Sequence, residues 1–107
     1  MPSKSYRIKL DSQTWLVIDY VMVKGRIVSF VVRLMTTIED NDVSVARYDT
    51  AHGMPHRDEL DLKSEVVTKI WLPQLTLENA MTFGIEDFRK HYENYIHKYL
   101  SASRTNR

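Results

Sequence analysis

At 107 residues, 43% hydrophobic and 27% charged, the chain has the size and balance of one globular domain. Fifteen basic against 14 acidic residues leave a formal charge of +1, too little for a global field that gathers nucleic acid or anionic lipid. The absence of cysteine excludes disulfides, thiolate zinc sites and cysteine nucleophiles.

The N-terminus, Met1-Pro2-Ser3-Lys4-Ser5-Tyr6, carries no apolar h-region, and no apolar run approaches the ~20 residues that cross a bilayer. A cytoplasmic protein without a membrane partner is expected. Tyr6 to Leu10 reads as a first strand. Trp15 to Val23 and Arg26 to Ile38 are rich in β-branched and aromatic residues, and Lys24-Gly25 between them supplies a tight hairpin turn. An unbroken register with Val23 opposite Arg26 places Trp15, Val17, Val21, Val28, Phe30, Val32 and Leu34 on one face. Leu16, Ile18, Tyr20, Met22, Ile27, Val31 and Met35 fall on the other. One helix covers one face only, so the second apolar face points to a homodimer.

Asp40-Asn41-Asp42 gives the next turn, followed by a strand from Val43 to Tyr48. After a polar stretch, Val66 to Leu72 forms the last strand, stopped by Pro73. Thr76 is placed as an N-cap, with Glu78 in the first turn. Leu77, Met81, Gly84, Ile85, Phe88, Tyr92, Tyr95, Ile96 and Tyr99 then recur at three- and four-residue spacing, the apolar stripe of a helix. Gly84 inside it costs about 1 kcal/mol against alanine, which close approach of the helix backbone to a strand would offset. The fold class is therefore α+β, an antiparallel β-meander of about five strands packed against one C-terminal α-helix. One domain spans residues 1–100 and a frayed, disordered tail 101–107.

Arg47-Tyr48-Asp49-Thr50-Ala51-His52-Gly53-Met54-Pro55-His56-Arg57-Asp58-Glu59-Leu60-Asp61 reads as a long polar connection between strands, and such loops often carry function. Phosphodiester cleavage without a metal needs a base, an acid and a cation on phosphorus, roles open to Tyr48, His52, His56 and Arg57. Arg47, Asp49 and Asp58 are candidates for binding, since guanidinium groups grip phosphates or carboxylates in bidentate fashion. A divalent-metal site is disfavoured because Gly53 and Pro55 break the helical spacing of His52 and His56, so neither metal nor cofactor is expected. The remaining reading is structural: a loop whose polar groups satisfy one another and the backbone.

Val31-Val32-Arg33-Leu34, the run Arg47 to Gly53, Pro55-His56-Arg57-Asp58, Lys69 and Trp71-Leu72-Pro73 resemble a family of small prokaryotic proteins that brings no activity with it. The Arg47-Tyr48-Asp49 run with its histidines is also similar to TumE-type toxins of toxin–antitoxin pairs. That likeness implies a ribonuclease or nucleic-acid-processing role, with RNA as substrate and an antitoxin-like protein as partner. The alternative is a non-catalytic homodimeric interaction or regulatory module whose polar loop is structural or binds a partner.

Overall fold

Two consecutive left-handed residues, Lys24 and Gly25 (φ 52° and 78°), reverse the chain between β2 (Thr14–Val23) and β3 (Arg26–Ile38), the geometry that matches strand twist in a two-residue hairpin. Glu39 and Asp40 (φ 50° and 65°) repeat the device before β4 (Asn41–Ala51), and Gly53 (φ 79°) precedes β5 (Met54–Leu60). With β1 (Ser3–Lys9) and β6 (Val66–Trp71) these make a six-stranded antiparallel sheet in chain order, β1 to β6, and α1 (Leu77–Thr105) lies across one face. The computed structural model describes residues 3–51 and 53–105, the last three by backbone alone.

The sheet has one strand more than the sequence suggests. The extra one is β5, inside the stretch read as a loop. The last helix likewise continues past Tyr99 to Thr105, into the stretch assigned to a frayed tail.

A second correction concerns the faces. Val23 does pair with Arg26, but a bulge between Val21 and Met22 sets Val21 opposite Ser29, which shifts the phase of β3 against β2 by one residue. Leu16 therefore pairs with Leu34 and Ile18 with Val32, so residues expected on opposite faces build one core. Another bulge, after Leu34, leaves Val45 unpaired and buries it together with Ala46. The opposite, helix-free face carries Trp15, Val17, Val31 and Met35, each half-buried among charged neighbours.

Packing of α1 follows the stripe. Ala80, Phe88, Tyr95 and Tyr99 are buried, and Met81, Ile85, Tyr92 and Ile96 flank them. Thr76 Oγ1 accepts the Asn79 N–H at 3.1 Å, capping the helix. Glu78 accepts from Arg26 Nε at 2.8 Å and from the Ile27 N–H at 3.1 Å, so the helix start is tied to the β2–β3 turn. Arg26 chiefly holds the Glu78 carboxyl down to about 2. A non-helical residue, His91 (φ −126°, ψ 17°), interrupts α1 midway.

Gly84 is where helix and sheet come closest. A Cβ built there would stand 2.7 Å from Cγ of Tyr48 and 2.8 Å from its Cδ1, inside any tolerable contact. Two effects oppose each other in Gly84→Ala: helix propensity favours alanine by about 1 kcal/mol, while overpacking costs about 1 to 3 kcal/mol. The Tyr48 ring is fully buried and cannot swing aside, so the clash should win and Gly84→Ala should lower the melting temperature. A variant melting at or above the parent would show that the helix lifts without penalty.

Candidate functional site

The polar cluster is a β-hairpin. Residues 47–51 end β4 and 54–60 form β5, paired Arg47 to Asp58, Tyr48 to Arg57 and Asp49 to His56. Because side chains alternate across a strand, this pairing sorts the candidates onto two faces. Arg47, Asp49, His56 and Asp58 share the helix-free face, while Tyr48, Arg57 and Glu59 point to the helix. His52 lies outside the described residues.

On the helix-free face the centre is Asp58, 1% exposed. Its Oδ2 accepts from Arg47 Nε at 3.0 Å and stands 3.4 Å from His56 Nε2. Lys69 Nζ, from β6, lies 3.1 Å from Oδ1 in an ion pair without the alignment of a directed hydrogen bond. A buried carboxylate needs such partners, since an unpaired charge there would cost several kcal/mol. His56 is 2% exposed, packs against the Trp71 ring with centroids 4.9 Å apart, and its Nδ1 is buried with no hydrogen-bond partner among the described residues. A general base must reach its substrate, and this imidazole is covered.

Toward the helix, Tyr48 Oη donates to Asp87 Oδ2 at 2.7 Å and Tyr95 Oη donates to the same oxygen. Arg57 Nη1 donates to Tyr48 Oη at 3.4 Å, and Nη2 pairs with Glu59 at 3.1 Å. Lys98 stands 3.7 Å from the other Glu59 oxygen. Burial raises both phenols, Tyr48 to about 12 and Tyr95 further, so both stay protonated donors at neutral pH. Beside this network a groove of about 350 Å³ opens between α1 and β5–β6, walled by Arg57, Glu59, Ile70, Tyr95 and Lys98. Its walls carry two cations, the Arg57 guanidinium and the Lys98 ammonium, against the single carboxylate of Glu59.

Asp61, the end of the cluster, accepts the Lys63 and Glu65 N–H groups at 2.9 and 3.0 Å and shapes the β5–β6 turn. Among the described residues no group of three or more His, Asp or Glu side chains is arranged to hold a metal ion, and no helix is long and apolar enough to cross a membrane. Sequence reasoning missed Lys69 and Trp71 as members of the first cluster and Asp87, Tyr95 and Lys98 as members of the second. The signal for Asp87 was present: it lies one turn from Phe88's stripe neighbours, at a polar position flanking an apolar row.

The profile of a domain of unknown function, DUF7718, matches residues 1–105. The chain belongs to the DUF7718 family. No curated protein and no solved structure matches it. The DUF7718 fold is thus read from its own geometry, and the family assigns no activity to the hairpin.

Two outcomes are expected. Tyr48 has its folded-state pKa raised from 10 to about 12, so its contribution to stability is complete below about pH 10 and is lost as pH rises towards 12. Tyr48→Phe should cost about 1.5 to 3 kcal/mol at neutral pH, through the lost bond to a carboxylate, and should flatten the alkaline limb. Equal alkaline limbs in parent and variant, by denaturant titration, would remove Tyr48 from the network. Asp58→Asn should cost about 3 kcal/mol by uncoupling Arg47 and Lys69. An unchanged melting temperature would show these ion pairs to be idle.

Proposed function

We propose that this chain is a non-catalytic interaction module that forms a homodimer by edge-to-edge pairing of β6. The observation that carries the reading is the exposure of that strand: β6 ends the sheet, α1 covers β3, β4 and β5, and Val66, Val67, Ile70 and Trp71 are all exposed. An apolar edge with unpaired backbone groups is a template for another strand, and folded proteins normally blunt it. The other edge is blunted: β1 carries Lys4, Arg7 and Lys9 in seven residues, whereas β6 has the single charge of Lys69, already paired with Asp58.

A second copy fits this edge. Antiparallel pairing about a two-fold axis centred on Thr68 keeps each residue on its own face, sets Thr68 opposite its symmetry mate and Val66 opposite Ile70. The two sheets then run on as one, with the grooves beside α1 flanking the junction.

A toxin–antitoxin-type ribonuclease is the competing reading. It draws support from Tyr48 and Arg57, which meet beside the groove, but His56 lies across the sheet from them. Acid–base cleavage needs its groups around one phosphorus atom.

Sedimentation velocity at micromolar concentration should give a dimer, and Ile70→Lys should give a monomer with the parent's circular dichroism. A monomeric parent sinks the proposal. The same samples, incubated with mixed RNA, should leave it intact. Cleavage abolished by both Tyr48→Phe and Arg57→Gln would restore the nuclease.

A further inference from the structure

Across the helix-free face, strand register lines up one row of side chains: Arg7, Val17, Arg33, Arg47, Asp58 and Lys69, one from each strand. Four cations against one carboxylate is an unusual row. Arg33 and Arg47 are direct cross-strand partners, and like charges in that relation are destabilising unless something else favours them. Each is steadied through one nitrogen. Arg33 Nη1 donates to Asp19 at 2.9 Å, and Arg47 Nε donates to Asp58 at 3.0 Å and lies 3.9 Å from Asp49. A guanidinium has five N–H donors, so this leaves most of two adjacent forks for an anion, and both side chains are about two-fifths or one-third exposed.

The next row holds the second half of the site. Ser5, Asp19, Val31 and Asp49 line up beside the arginines, and with Val21, Ser29 and Thr50 they wall a hollow of about 470 Å³, the largest described on the molecule. Hydroxyl and carboxylate oxygens alternate there with Val21 and Val31, and Lys4, Tyr20 and Phe30 complete the lining. Such a lining suits a group that donates hydrogen bonds at its rim and is flat and apolar in its body. Further along the same row Trp71 is exposed, with Lys69 Nζ 5.2 Å above its ring, a surface on which a base can stack.

We infer that the helix-free face binds single-stranded nucleic acid, its phosphates seated on Arg33 and Arg47 and one nucleoside in the hollow bounded by Asp19 and Asp49. Strands lie about 4.8 Å apart, so the row from Arg7 to Lys69 runs for about 24 Å, the length of a short single-stranded footprint rather than of one small anion. Duplex is a poorer fit, because paired bases cannot enter the hollow or stack on Trp71. The formal charge of +1 is no obstacle, since the cations are concentrated locally. The inference does not rest on the β6 dimer: the hollow and the arginine pair belong to one copy, and pairing would only extend the row.

The test is fluorescence anisotropy of the full chain with short labelled single-stranded RNA and DNA at low and moderate salt. Duplex of the same sequence and inorganic phosphate serve as competitors. Binding of the single strands should weaken about tenfold or more in Arg33→Gln, with a salt slope shallower by about one. Arg33 is the decisive variant because it and Asp19 are both partly exposed, so its loss should leave the melting temperature near the parent's. Arg47→Gln should weaken binding as well but also disturb Asp58. Trp71→Ala, which leaves both arginines in place, should weaken binding without changing the salt slope. No binding of single strands at low salt, equal affinity of the folded Arg33→Gln protein, or tighter binding of duplex would each overturn the inference. Ile70→Lys protein should still bind, which separates this outcome from the fate of the dimer.

Discussion

The contact on which the rest of the molecule depends is that between Gly84 and the ring of Tyr48. A helix backbone resting directly on an aromatic ring leaves no room for adjustment, and it fixes the height of α1 above β4. From that height Phe88 meets the Tyr48 ring with centroids 5.0 Å apart, and Asp87 can take both phenolic hydroxyls. The hydrogen bonds then lock the rotation of α1 that the packing has chosen. Arg26 and Glu78 hold its start at the β2–β3 turn. A helix pinned at those points crosses β3, β4 and β5 and leaves β6 bare. The exposed edge is a geometrical result of where one glycine sits.

Much of this was legible. The Lys24-Gly25 turn, the Thr76 cap, the apolar stripe and the need for close approach at Gly84 all follow from local rules, and the structure has each of them. The bulges were not legible, because a bulge adds one residue to a strand whose two faces are both apolar, and the pattern then holds no mark of the slip. β5 was hidden for a different reason. Met54-Pro55-His56-Arg57-Asp58-Glu59-Leu60 has almost none of the side chains that fill strands, since its pairing is secured by ions on both sides and not by apolar burial. The partners that make it a strand, Lys69 and Asp87, stand far along the chain.

The polar hairpin also shows how one charged segment can serve two environments. Alternation gives Asp58 to one side, with its cations, and Arg57 to the other, with its anions and phenols. Each set is nearly neutral within itself, which is what allows a buried carboxylate and a half-buried guanidinium to stand on opposite faces of one strand. The departure from that neutrality is the Arg33–Arg47 pair, where like charges are adjacent and Asp19, Asp49 and Asp58 are the acids engaged with them.

Strand order in the sheet is the order of the strands along the chain, so every pairing joins neighbours in sequence. Each hairpin closes a short loop, and the entropy of closure grows slowly with loop length, so the meander can be assembled one strand at a time without threading or long-range search. The distant contacts are those of α1 with β3, β4 and β5, and these await the last part of the chain. Formation of the sheet from its first hairpin can therefore precede arrival of the helix. An early sheet of this kind has both faces open. The β4–β5 hairpin would present charged side chains on each of them, Arg47 and Asp58 on one and Arg57 and Glu59 on the other, and charge on an open sheet disfavours stacking against a second one.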